Sequence, residues 1–193
     1  MPPEAKFTKE QIVEVAFAMV RENGIDCLTA RALGERLGSS ARPIFTVFQS
    51  MDEVRQEVFN AAASLYKSYV ERGLAETLAF KGVGTQYIMF AKEQSKLFQL
   101  LFMQKQQSIP NLQNVLAKID ESYPAILASV QNSYGVDAAT AKLLYQHLWI
   151  YSHGIATLCA TDMCTFTADE IGSMLTQVFV GLLKEVKAGH KND

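Results

Sequence analysis

An all-α fold is expected for this chain, with a small N-terminal part of three short helices over residues 1–50 and a larger helical body over residues 51–193. Three observations predict it. Apolar residues recur at three- and four-residue steps through most of the chain, helix-capping pairs stand at the starts of those stretches, and glycine or asparagine stands at their ends. The 193 residues, 49% hydrophobic and 20% charged, are enough to bury a core in each part.

The elements follow in order. Ile12, Val15, Ala16, Met19 and Val20 place one face of a first helix inward. Thr8 and Gln11 have capping-box spacing, Phe7 and Ile12 occupy the positions of a hydrophobic staple, and Asn23-Gly24 closes the helix. Thr29 caps a second short helix in which Ala30, Leu33 and Leu37 share a face, leaving Arg31, Glu35 and Arg36 elsewhere, and Gly38 ends it. Ser39 or Ser40 can cap a third short segment carrying Ile44, Val47 and Phe48. Ser50 and Glu53 form a further capping box at the start of a fourth helix, expected over residues 51–72 with Val54, Val58, Leu65 and Tyr69 buried and Gly73 as its stop.

Gly82 and Gly84 suggest a joint between helices. The segments YIMFAKEQ and SKLFQLLFMQ read as two helices broken near Gln94-Ser95, and Ser108-Ile109-Pro110-Asn111 as a second break. A helix is expected from there to Tyr134-Gly135, another from a cap at Asp137 through Leu158, and a last one from the Thr167–Glu170 capping box, stapled by Phe166 and Ile171, to Lys187.

Composition restricts function. MPPEAKF has neither the basic start nor the apolar run of a signal peptide, and no stretch approaches the roughly 20 apolar residues of a membrane span, so a cytoplasmic protein without a membrane partner is expected. Cys27, Cys159 and Cys164 match no disulfide or zinc spacing, so reduced thiols and no metal site are expected. A formal net charge of −2 offers no bulk attraction for nucleic acid, and any DNA interface must be local.

A short helix, a glycine turn and a capped short helix have the form of a helix-turn-helix, in which the second helix is held steeply so that a recognition segment enters the major groove. Any all-α protein can contain such a hairpin, and only three basic side chains against two acidic ones lie between Gly24 and Ser50. The order of residues is more specific. Asn23-Gly24-Ile25, then Leu28-Thr29-Ala30-Arg31, Leu37-Gly38 and IFTVFQSMDE resemble the N-terminal domain of the TetR family of transcriptional regulators over residues 8–54. The resemblance implies that Phe48 plugs the small domain's core, that Phe45 lies against the DNA backbone, and that Thr29, Arg31, Ser39, Ser40, Arg42 and Thr46 contact DNA. Hydroxyls and helix N-termini serve phosphate, whereas Arg42 can read guanine and Thr46 a polar base edge or a thymine methyl. Two departures stand out. Met51 occupies a position where the family commonly has lysine, removing one phosphate contact. Pro43 disfavours helical geometry at Arg42, so the recognition helix is expected to start late or be distorted.

In the second part, Trp149, His153 and Gly154 resemble a C-terminal ligand-binding domain found in part of that family. The resemblance implies that the last two long helices pair with their copies in a homodimer. Ser152, Gly154 and Ala156 would allow close helix approach, and Ile171, Leu175, Val178 and Leu182 would form the seam. Two recognition segments about 34 Å apart would then read a near-palindromic operator. Phe90, Phe98, Phe102, Met103, Tyr123, Tyr145 and Trp149 could line a cavity for a small hydrophobic ligand. Acidic residues are absent among them, which favours a neutral or anionic hydrophobic molecule, and basic residues are scarce too, which slightly favours the neutral one. No catalytic motif is present, and His147 and His153, six apart on a helix, face different ways, so an enzyme is not expected. The expected function is a ligand-released repressor. The alternatives are a module of the same shape that no longer reads DNA and, more remotely, a helical enzyme using His153. No cofactor is expected.

Overall fold

The computed structural model describes residues 6–105, 111–112, 115–116 and 122–189. Among them the chain is all-helical, with no strand. The α-helices are α1 (Lys9–Asn23), α2 (Ala30–Arg36), α3 (Met51–Leu74), α4 (Ala79–Glu93), α5 (Ser95–Phe102), α6 (Tyr123–Tyr134), α7 (Ala138–Ala160) and α8 (Ala168–Gly189). The expected break at residues 108–110 lies outside the described residues, and the helix expected from there to Tyr134 differs: α6 starts at Tyr123, with Ser122 at its N-cap and Pro124 in its first turn, while Leu112, Val115 and Leu116 are helical before it.

Local signals set most helix ends. Thr8 accepts from the Gln11 amide while the Gln11 side chain accepts from the Thr8 amide at 2.9 Å, so both halves of the first capping box are made. Asp137 accepts from the Thr140 amide at 2.7 Å, and Thr167 and Glu170 cap α8 reciprocally. Gly135 closes α6 in the left-handed conformation.

The chain forms two compact units, Met1–Leu65 with Gln94–Gln104, and Tyr66–Glu93 with Lys105–Asp193. The first division falls inside α3 rather than at residue 50, and α5 joins the first unit. There α1 packs on α2 and α5 around Ile12, Leu33, Ile44, Phe48 and Val58. Nearly buried Gln94 accepts a 2.7 Å hydrogen bond from the Arg21 guanidinium, which satisfies a polar group at the α4–α5 break.

In the second unit α4, α6, α7 and α8 pack around Ile88, Phe90, Ile126, Leu144 and Ile171. Gly82 and Gly84 do not mark a joint, because both lie inside α4. Gly82 sits where α4 touches the backbone of Gly73 near the end of α3, and Gly84 opens space beside Ser152. Close approach outweighs the weak helix propensity of glycine. No described helix is long and apolar enough to cross a membrane.

Candidate functional site

The first candidate surface is the segment that follows α2. Gly34, buried in α2, lies against the Ser40–Ala41 backbone, and its carbonyl accepts from the Ser39 amide at 2.9 Å. From there the chain turns tightly. The amides of Ile44, Phe45, Thr46 and Val47 each donate to the carbonyl three residues earlier, at 3.1 to 3.2 Å. The expected third α-helix is therefore a 3-10 segment, assigned over Ile44–Thr46. Pro43 explains the difference: it has no amide to give and it disfavours α geometry at Arg42. Three residues per turn eclipse Arg42 and Phe45 on one side. Ile44 and Phe48 are buried and pin the segment, while Phe45 is 47% exposed.

The residues expected to contact DNA are distributed as follows. Ser40, Arg42, Phe45 and Thr46 are exposed on or next to this segment. The Thr46 hydroxyl donates to the Pro43 carbonyl at 2.7 Å, which fixes its rotamer, and Arg42 makes no ion pair among the described residues. Thr29 caps α2 by accepting from the Ala32 amide. Ser39 is half-buried and accepts from the Lys6 ammonium at 3.1 Å. Arg31 pairs with Glu35 at 2.9 Å and Arg36 with Glu22 at 3.2 Å, so both are partly neutralised.

The second candidate site is a partly open cavity of about 260 Å³ in the second unit. Tyr66, Phe80, Tyr87, Tyr134, Tyr145, Trp149 and Phe179 supply its aromatic wall, with Leu148, Ser152 and Leu175 between them and Lys81 at its edge. Of the residues expected to bind ligand, Tyr145 and Trp149 line it. Tyr123 meets Tyr145 edge-on at 5.1 Å but is not in the wall, and Phe90 is fully buried between Tyr66 and Tyr69. Phe98, Phe102 and Met103 belong to the first unit and do not line the cavity, because α5 packs on α1. The wall residues missed by the sequence reading had a signal: Phe80, Val83, Gly84 and Tyr87 recur at the spacing of one helix face.

Two wall residues, Tyr87 and Trp149, also contact His153. The Tyr87 hydroxyl lies 2.8 Å from His153 Nδ1, and the Trp149 and His153 rings are nearly parallel at 4.9 Å. Burial raises the Tyr87 phenol well above its usual range and lowers the His153 imidazole below its own. A protonated phenol donating to a neutral imidazole, with the ring proton on Nε2, satisfies both shifts.

The unfolded chain takes up the His153 proton near pH 6.5, the folded chain only below it. In that interval the unfolded state binds more protons, so acidification favours unfolding. The melting temperature is expected to fall as pH drops from about 7 through about 6. His153→Gln should flatten that dependence. Equal slopes for the variant and the parent would refute the assignment.

The expected dimer residues divide. Ser152, Ala156, Ile171 and Leu175 are buried inside the second unit, where small size and apolar character serve packing of α7 and α8 within the subunit. Gly154 is exposed and Val178 and Leu182 are half-buried. Leu143, His147, Ile150 and Gly154 make an exposed stripe along α7, and Val180 is exposed on α8. Among the described residues no group of three His, Cys, Asp or Glu side chains is placed to hold a metal ion. Compared with known proteins, the chain matches no family model, and no curated protein matches it.

Proposed function

We propose that this protein is a ligand-responsive, DNA-binding transcriptional regulator of the kind its N-terminal residues resemble, acting as a homodimer on a near-palindromic operator, more readily as a repressor than as an activator. The observation that carries the reading is the 3-10 segment after α2, which holds Arg42, Phe45 and Thr46 outward on a support of buried Ile44 and Phe48. An outward phenylalanine beside a free arginine on a pinned turn suits a phosphate backbone and a groove edge. The apolar stripe of α7 would supply the self-complementary face of a two-fold dimer.

In this reading the second unit senses and the first reads. One uninterrupted helix, α3, gives Val54 and Val58 to the first unit's core and Tyr66 to the cavity wall. A ligand that binds more tightly to the operator-incompetent state would release DNA, and a bias of about 1 to 3 kcal/mol is enough for control. Selection of bound duplexes from a random library by the purified protein tests the proposal. Enrichment of a palindrome supports it, and no enrichment at low salt from folded protein contradicts it.

A second reading, a module of this shape that no longer reads DNA, draws on the same segment. The 3-10 turn replaces a recognition helix, and Arg31 and Arg36 are engaged by Glu35 and Glu22. Salt-independent, negligible DNA binding would favour it.

A further inference from the structure

The cavity's polar atoms specify more of its occupant than its aromatic wall does. Ser152 is 4% exposed, and the indole N–H of Trp149, another lining residue, is buried without a hydrogen-bond partner among the described residues. The Ser152 Oγ lies 3.5 Å from the point where a side chain at Gly84 would begin, and both residues line the cavity. A hydroxyl and an unpartnered indole N–H on lining residues are donors that an acceptor-bearing guest can satisfy. Lys81 stands one helical turn before Gly84 on the same face of α4. Its ammonium lies 3.8 Å from the corresponding point on Gly172, and Lys81 also borders an outer groove shared with Glu76 and Asp169. Lys81 lines both the cavity and that groove, and among the described residues it forms an ion pair with neither carboxylate. No carboxylate lines the cavity among the described residues.

An apolar chamber with donors and one cation, and no anion, disfavours a cationic guest and favours an acceptor-bearing one. We propose that the cavity binds a small apolar carboxylate, its body among the aromatic rings and its head between Ser152 and Lys81. Of the neutral and anionic molecules expected from the sequence, this selects the anionic one, because Lys81 of α4, outside the aromatic set, is among the lining residues. The volume, just under the roughly 300 Å³ at the lower end for drug-sized ligands, calls for a short chain or one ring. Burying the head without a partner would be prohibitive, whereas charge-assisted hydrogen bonds to the rim are about twice as strong as neutral ones. The inference rests on the sensing half of the proposed function and on no property of the DNA interface.

Trp149, the only tryptophan, lines the cavity and reports occupancy by its fluorescence. The full chain, without DNA, is titrated at neutral pH with octanoate against octan-1-ol and with 4-phenylbutyrate against 4-phenylbutan-1-ol. In at least one pair the acid is expected to bind at least about fivefold more tightly than its alcohol. The pair that shows the larger preference identifies an aliphatic or an aromatic body. Lys81→Gln should collapse the preference by weakening the acid more than the alcohol, and Lys81→Arg should keep it. A smaller preference in both pairs, a preference that survives Lys81→Gln, or no saturable response to any of the four probes overturns the proposal. Failure to bind DNA in a separate assay would leave this result standing and would count against the DNA reading alone.

Discussion

Gly73→Ala is expected to lower the stability of the second unit by about 3 kcal/mol, against the usual gain of roughly 1 kcal/mol when alanine replaces glycine in a helix. Gly73 is buried near the end of α3, and an added Cβ would lie 2.6 Å from the Val83 nitrogen and 2.7 Å from Gly82 C and Val83 Cα. All three are backbone atoms of α4, so no rotamer change relieves the clash and the helices must separate. Separation loosens the start of α4, which carries Phe80 and Lys81 of the cavity. A melting temperature lower by roughly 5 to 10 °C is expected. Gly154→Ala is the control, because a Cβ there meets nothing within 4 Å in the subunit. Equal melting temperatures for Gly73→Ala and the parent would mean that the close crossing of α3 and α4 is wrong.

Gly34→Ala is expected to damage the reader without replacing any residue proposed to contact DNA. Its Cβ would fall 2.8 Å from the Ala41 nitrogen and the Ser40 carbonyl carbon, where only backbone could yield. The turn that delivers Arg42 and Phe45 would be pushed off α2, and the hydrogen bond from the Ser39 amide to the Gly34 carbonyl would stretch. Operator affinity should drop at least about tenfold, equivalent to about 1.4 kcal/mol, at temperatures where circular dichroism shows the protein still folded. Unchanged affinity would separate the turn's geometry from DNA binding.

What could be read in advance from the residues was what is local. Capping at Thr8 with Gln11, at Asp137, and at Thr167 with Glu170 involves atoms three residues apart, so spacing alone reveals it. The break at Gln94 and the left-handed Gly24, Gly38 and Gly135 were legible for the same reason. Pro43 announced distortion at the recognition segment, and the structure shows its form, a 3-10 turn.

The rest depends on which distant surfaces meet. Gly82 looked like a hinge because its role, admitting the backbone of Gly73, is invisible without the crossing of α3 and α4. Phe98 and Phe102 match Trp149 in character, yet α5 packs on α1 while Trp149 faces the cavity. Ser152 and Leu175 suggested an interface by size and periodicity, and both are spent inside the subunit. Periodicity identifies a buried face without saying what buries it.

The decisive measurement is the salt dependence of binding to the selected duplex. For a protein that reads DNA through the 3-10 segment, log affinity falls linearly with log salt concentration, with a slope of about −0.9 for each phosphate neutralised, and Arg42→Ala combined with Thr46→Ala costs at least about tenfold at every salt concentration. A double variant that binds as tightly as the parent, or binding that is weak and indifferent to salt, would contradict that reading.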